Sequence, residues 1–556
     1  MTAVLDPVHP VVTPVEEPSP PGGVLYWLTR SRSGHGVLLG ALSGVLATLA
    51  LEDYNIWPLA FVAFVPAIVA QHRVMPARFQ AAPLAIAVGM MFQGYLGPGL
   101  ASAARGGGLD WYMQIFGIWV VLLVYGLARR SRAFHIRTDY RWFVLATPAA
   151  WVFIDGLRGY GADFLGGTWG MPAYALYTLP EFLQPVSVFG IHGVNLLLLL
   201  INWAIAKRVL AHLDATRGPV DGRQPIDRPR ATRDLGFVAV GLVAWMGASL
   251  LMLDSSELTT RVAAVQGGDS FIDDTGVWTR VPREEMLANQ VAMTRDAVAQ
   301  GATLVTWHEG GYRAEVSGSA DDVASALQDE VPARLADELD VFLTLGWQGP
   351  IEGQPGRYNE VAAFNPDGQL LGTNGKSHIG DFAGDAGDPT RRGLYTAYET
   401  SFGAFGTIIC FDLDFTNSAR GVARNGANVL AVSSSDPPGI EQKHSTHMIF
   451  RAIETGLGVL KADSRHDSIV VDPWGRIVAY EVTDRGGPNL IVADLPYRPA
   501  DSPDTFYVRF GDWLAWLAGL FVLGMLVLSF RLRVADSVSS SEQGAMELRF
   551  GAEDPA

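Results

Sequence analysis

The stretch Gly406-Thr-Ile-Ile-Cys-Phe-Asp412 decides how this chain of 556 residues reads. Thr407-Ile-Ile is β-branched throughout and follows Phe405, which predicts a buried strand over 405–409 that delivers Cys410 to its end. In α/β domains functional groups collect at strand ends, because the sheet brings the loops there together. Cys410 is the single cysteine, so the chain forms no internal disulfide and no cysteine-type zinc site. It reads either as a small buried hydrophobe or as a reactive thiol.

Around this strand, short apolar runs alternate with helical stretches over 258–505. Strands are expected at 261–266, 302–307, 341–345, 361–364, 368–372, 428–433, 468–471 and 476–479, and an amphipathic helix at 284–300. Such alternation implies an α/β domain. Two further residues stand at strand ends: Glu309, after Leu304-Val-Thr-Trp-His308, and Lys376, within Gly372-Thr-Asn-Gly-Lys-Ser-His378. Taken singly, Glu309 reads as a surface acid, Lys376 as a solvated loop lysine and Cys410 as core. Together they form a coherent set. A thiolate is the nucleophile, a carboxylate takes the thiol proton, and an ammonium with a backbone N–H steadies the oxyanion of a tetrahedral intermediate.

The flanks are of another composition. Hydrophobic residues make up 49% of the chain and are gathered into long runs. Spans of roughly 20 apolar residues cross a bilayer, and candidates lie near 34–51, 56–71, 80–100, 111–128, 142–157, 184–206, 235–253 and 513–530. The first two are short enough to pair as a re-entrant hairpin. Alternate loops carry the basic residues: Arg73 and Arg78, the cluster from Arg129 to Arg141, the run from Lys207 to Arg233, and Arg531 and Arg533. The loops between them, such as Glu52-Asp53, are poor in Lys and Arg. Basic loops stay in the cytoplasm, so the α/β domain is expected outside it. The expected layout is a disordered cytoplasmic tail (1–30), a membrane domain of about seven helices (31–255), an extracytoplasmic catalytic domain (256–505), a final transmembrane helix (508–533) and a second disordered tail (534–556). The net charge of −16 argues against nucleic acid as a partner.

The Cys410 segment resembles the nucleophile motif of the carbon–nitrogen hydrolase (nitrilase) superfamily, in which the Cys ends a strand before an aromatic residue and an acid. Trp307-His-Glu309 is similar to its general-base motif, Lys376 to its catalytic lysine, and Ala423 to Leu430 to its helix-turn-strand after the nucleophile. Seven spans, a nitrilase-like domain and one last span resemble the apolipoprotein N-acyltransferase family of bacteria. Trp151-Val-Phe-Ile-Asp-Gly-Leu-Arg158, Gly190 with Gly193-Val-Asn195, and Thr505-Phe-Tyr-Val-Arg-Phe-Gly-Asp512 match further segments of that family. The implied fold is a multi-span α-helical membrane domain with an extracytoplasmic nitrilase-like α-β-β-α sandwich. The implied reaction is ping-pong. Cys410 takes an acyl group from a phospholipid as a thioester and passes it to the α-amine of a lipoprotein's diacylglyceryl-cysteine. Glu309 acts as base, Lys376 as oxyanion partner, and neither cofactor nor metal is implied.

Departures from the family's pattern border the site. Phe411 and Asp412 stand where the family has another aromatic residue and Glu. The second Glu, eight residues after the lysine, aligns with Gly384, leaving Asp381 or Asp385 to replace it. An Asn-Asp-Ala-Trp stretch is here Ser433-Ser-Ser-Asp-Pro437, and a later Asn-Asn-Gly is Arg465-His-Asp467. Glu454 is a candidate to orient the lysine or base, or else an ion-pair partner of Arg451. Trp278, Phe382, Trp474 and Tyr507 are candidates to gate a lipid opening. A membrane-tethered amidase, or an acyltransferase with a different acceptor, is the alternative function, and a non-catalytic scaffold for another acyltransferase a third.

Overall fold

The computed structural model describes residues 28–105, 116–160, 166–275, 277–313, 319–350, 357–379, 392–483 and 485–550. The strands in chain order are β1 (Thr259–Gln266), β2 (Ser270–Ile272), β3 (Trp278–Arg280), β4 (Leu304–Trp307), β5 (Tyr312–Arg313), β6 (Phe342–Pro350), β7 (Arg357–Phe364), β8 (Leu370–Gly375), β9 (Ala397–Thr400), β10 (Gly403–Ile409), β11 (Val429–Ser433), β12 (Gly458–Ala462), β13 (Asp467–Val471), β14 (Ile477–Val482) and β15 (Asn489–Pro496). One sheet runs β15-β1-β4-β6-β7-β8, with β5 beside β6, and a second runs β14-β13-β12-β11-β10-β9. β10, β11 and β12 are parallel, as are β1, β4 and β6. Strands covered on both faces read as unbroken apolar runs, and Val429-Leu-Ala-Val-Ser433 is buried at every position.

The two sheets face one another across Val262, Ala264, Phe405, Val429, Leu460 and Val470. Helices Arg283–Ala299 and Val331–Leu339 cover the outside of the first sheet through Leu335, Ala297 and their neighbours. Helices Thr416–Arg424 and Glu441–Thr455 cover the second. The result is the expected α-β-β-α sandwich. The outer core of the second sheet does not end at its helices. Ile408, Leu413, Met448 and Ile453 belong to one continuous apolar cluster with Ala47, Phe64, Met91 and Trp203 of the membrane domain.

Helices or helical turns stand at all eight expected spans. Arg32–Ala50, Trp57–Val74, Ala77–Gly99, Ile191–Arg217, Arg228–Met252 and Trp513–Leu532 are long and apolar enough to cross a bilayer. Phe116–Arg137 and Phe143–Tyr160 carry Arg129, Arg130 and Arg132, and Asp155 and Arg158, respectively. The expected span at 184–206 is broken. Short helices Pro180–Leu183 and Val186–Phe189 end at Gly190, whose φ of 64° suits glycine, and the long helix starts only at Ile191. A Cβ on Gly190 would lie 2.6 Å from the Tyr507 ring, so close packing also requires glycine there. The last helix continues to Phe550, beyond the expected start of a tail at 534.

Glu454 is held at this junction and not beside the lysine or the base. It pairs with Arg451 one turn earlier at 2.8 Å and accepts the Ile191 N–H at 2.8 Å, capping the membrane helix from the α/β domain. Both side chains are wholly buried. Trp474 and Tyr507 are likewise buried at this interface, their polar atoms bonded to Gln184 and Asp512, while Phe382 lies outside the described residues. Glu454→Ala leaves the Arg451 charge buried without its partner. A thermal-shift measurement on the solubilised protein should then record a loss equivalent to about 3–5 kcal/mol, most of it recovered by the apolar pair Arg451→Met/Glu454→Leu.

Candidate active site

Cys410 follows β10 directly and opens a tight helical turn over Cys410–Asp414. Its φ of 43° lies in the left-handed region that non-glycine residues avoid. The turn therefore stores strain, and it leaves the thiol half-buried at the strand end. Asp412 fastens the turn. One carboxylate oxygen accepts the Ile409 N–H at 3.1 Å, and the other accepts those of Ser377 and His378 at 2.9 and 2.7 Å. Asp412 thus ties the lysine loop to the nucleophile turn, although burial lifts its carboxyl to about 6. Phe411 lines the cavity in front of the thiol and packs edge-on against Phe415, which stacks on the His378 ring at 3.6 Å.

Glu309 follows β4 and Lys376 follows β8. Lys376 Nζ lies 2.8 Å from Glu309 Oε1, and Asn359 Nδ2 of β7 donates to the same oxygen at 2.6 Å. Oε2 has no protein donor among the described residues. Both charged side chains are nearly buried, Glu309 at 8% and Lys376 at 6% exposed. The approach of β6 behind Glu309 requires glycine, since a Cβ on Gly346 would sit 2.6 Å from the Glu309 Cα. Asn359 and Gly346 escape sequence reasoning. A polar residue and a glycine inside strands are visible, but only the register of β6 with β7 gives them a task.

Cys410, Glu309 and Lys376 line one cavity of about 1880 Å³. Burial pushes the Cys410 thiol well above its ordinary value, the charges of Glu309 and Asp436 push it further, and Lys376 opposes them. The resting sulfur is therefore a thiol, and an attack needs a base that removes the proton as the bond forms. Asp385 and Asp381 lie outside the described residues. A second acid, given no role in the sequence but lying in the divergent stretch Ser433–Pro437, does approach the thiol. Asp436 Oδ1 is 3.8 Å from Sγ. Asp436 also accepts from Ser434, His444 and Lys461 at 2.7, 2.7 and 2.6 Å; burial raises its carboxyl, but the His444 and Lys461 charges outweigh that and hold it below the usual range.

The membrane domain contributes a further part of the cavity wall, which includes the apolar Leu84, Phe92, Trp119, Leu123, Phe153 and Met525 and the charged Arg130, Asp155 and Arg158. It also grips the nucleophile turn, since Thr168 donates its N–H and its hydroxyl to the Asp414 carbonyl at 2.9 and 3.0 Å. Trp278, the remaining gate candidate, packs edge-on against His466.

With this geometry in view, two family models account for most of the chain: the apolipoprotein N-acyltransferase N-terminal domain over residues 43–204 and carbon-nitrogen hydrolase over 261–498. The chain belongs to the apolipoprotein N-acyltransferase family, as a divergent member. It is 25% identical over 529 residues to the apolipoprotein N-acyltransferase of Geobacter metallireducens, covering 89% of this chain and 95% of that one. To the apolipoprotein N-acyltransferase of Gloeobacter violaceus it is 25% identical over 544 residues, with the same coverage. Among solved structures, an amidase from Nesterenkonia sp. matches at 19% identity and a TM-score of 0.33, covering 44% of this chain and 92% of that one.

Alkylation of Cys410 by iodoacetamide, read by peptide mass spectrometry, tests this electrostatic field. The rate should rise with pH above neutrality. At fixed pH, Glu309→Gln should speed it and Lys376→Met slow it, by about tenfold for each unit the thiol pKa moves. Equal rates in all three proteins would mean that neither charge lies near the sulfur.

Proposed function

We propose that this acyltransferase-family protein N-acylates lipoproteins through a thioester on Cys410. The observation that carries the reading is the convergence of Cys410 and the buried Glu309–Lys376 pair on a cavity that is also lined by many apolar residues of membrane helices. The donor is a phospholipid. Glu309 Oε2 takes the thiol proton as Sγ attacks the ester carbonyl, and Lys376 stabilises the oxyanion. The lysophospholipid alkoxide takes the proton back and leaves, and the acyl group stays on sulfur. The α-amine of a diacylglyceryl-cysteine then attacks the thioester, loses its proton to Glu309, and departs as the amide while the thiol reforms. An amine displaces a thiolate readily and an amide is stable, so the sequence of steps runs downhill. A cavity open to membrane helices spares the acyl chain a passage through water, which costs about 0.8 kcal/mol per methylene.

The loops that meet the α/β domain bear on its sidedness. Glu52 and Asp53, in a loop poor in basic residues, bond Thr446 and Lys443 of the α/β domain at 2.6 and 2.7 Å. The basic loops instead join one another through Arg73–Asp214 and Arg132–Asp221. The positive-inside rule supports a catalytic domain on the extracytoplasmic side of the plasma membrane.

Incubation with a phospholipid should add one acyl mass to the Cys410 peptide as a hydroxylamine-labile adduct, absent in Cys410→Ala. Mass spectrometry of lipoprotein N-termini should show triacyl forms that revert to diacyl forms when the gene is removed. Unchanged N-termini with an intact acyl-enzyme would favour a different acceptor, and a Cys410→Ala protein that still supports triacylation would favour the scaffold reading.

A further inference from the structure

Besides Arg465, which pairs with Asp269, three arginines of the α/β domain line the same cavity as Cys410: Arg280 at the end of β3, Arg283 at the start of its helix, and Arg313 on β5. A fourth, Arg357, opens β7. The strand registers place two of them on the face that carries the buried pair. Arg313 lies beside Gln348 of β6, Asn359 lies opposite Gln348 from the other side, and Arg357 lies opposite Pro350, two residues along. Residues in register share a face, as do residues two apart. Arg313 and Arg357 therefore flank β6 on the face from which Asn359 reaches Glu309.

Such a cluster runs against the composition of the chain, whose net charge is −16. Of the acids that also line this region, Glu330 accepts from Tyr312 at 2.6 Å and Asp269 pairs with Arg465 at 3.2 Å, which leaves the exposed Glu284 beside Arg283 as a single acid against the three arginines. Among the described residues Arg280, Arg283 and Arg313 form no ion pair. Burial, and then the charges of Arg283, Arg357 and Arg280, press the Arg313 guanidinium below its ordinary range. Guanidinium groups in excess over carboxylates repel one another, and a phosphate relieves that repulsion through bidentate hydrogen bonds.

One cavity is lined by these arginines, by the thiol and by apolar residues of the membrane helices. We infer that Arg280, Arg283 and Arg313 form a headgroup subsite that selects an acyl donor with a net negative phosphodiester headgroup over a zwitterionic one. The inference rests on the proposed function and adds the class of donor. The ester bond to be cut lies between the chains and the phosphate of such a lipid, and this cavity offers a lining to each part: apolar helices, a thiol and arginines.

The test measures binding to the full-length Cys410→Ala protein in neutral detergent micelles, with dioleoyl phosphatidylglycerol and dioleoyl phosphatidylethanolamine as probes. Phosphatidylglycerol should bind about tenfold tighter, the contribution of one added charge-assisted contact. Arg280→Gln/Arg313→Gln and, independently, Arg283→Gln/Arg313→Gln should bring the two lipids to near equality, and Arg280→Lys/Arg313→Lys should retain part of the preference. Equal binding of both lipids to the starting protein, or a preference that survives both glutamine pairs, overturns the subsite. So does inorganic phosphate that displaces the lipid at comparable concentration, because the site would then take the free anion. Binding is read without turnover. A failed headgroup preference beside a normal Cys410 thioester in the wild-type chain removes only the subsite, whereas a missing thioester with both lipids removes the proposed function.

Discussion

A carboxylate and an ammonium 2.8 Å apart, each less than a tenth exposed, are the constraint around which this domain is organised. Removing two charges from water costs several kcal/mol per ion, and their attraction offsets that cost only when the geometry is good and the remaining valences are filled. Three strands supply the geometry. β4 delivers Glu309, β8 delivers Lys376, and β7 places Asn359 on the same carboxylate oxygen. Gly346 lets β6 pass behind Glu309. The nucleophile belongs to the other sheet, so the facing of the two sheets is what brings sulfur and ion pair to one cavity. The Asp412 carboxylate, accepting from both the nucleophile turn and the lysine loop, joins them.

The second sheet is also the seat of the membrane domain. Thr168 holds the Asp414 carbonyl, Glu454 caps the helix that starts at Ile191, and Asp512 accepts from both Tyr507 and Thr416 at 2.7 and 2.5 Å. Those contacts draw on two of the three membrane-domain segments that resemble the family, and the third, 151–158, joins them through its own bonds. Asp155 bonds Asn195 at 2.6 Å, and Arg158 reaches the carbonyl of Trp169. Trp169 in turn packs against His444 and His447. Motifs far apart in sequence therefore serve one purpose, which is to fix a catalytic domain against the helices that line its cavity.

The departures from the family's pattern also have a physical logic. Asp436 and Asp467 lie in the two stretches that differ, and both contact one buried ammonium, Lys461, at 2.6 and 3.1 Å. A buried acid added alone would be strongly destabilising. Two acids around one lysine, with Ser445 and His444 completing the bonds, keep the interior neutralised. This network ends 3.8 Å from the Cys410 sulfur, so the divergent stretches are part of the environment of the thiol.

Local pattern alone determined a good deal. Apolar runs of membrane length, alternating short strands, and Cys410, Glu309 and Lys376 at strand ends are all set by residue type and spacing, because burial periodicity is a property of neighbouring residues. Some elements were invisible at that level. β12 is a short run interrupted by Lys461, and β15, which closes the first sheet against β1, alternates too weakly to stand out. Only the tertiary structure decided that Glu454 serves the domain junction, that Asn359 and Asp436 attend the site, and that Arg280, Arg283, Arg313 and Arg357 share the cavity with the thiol. Those assignments depend on which strands pair, in what register, and which sheet faces the membrane helices. Contacts between residues a hundred positions apart are fixed by packing of the whole and leave no periodic trace in the chain.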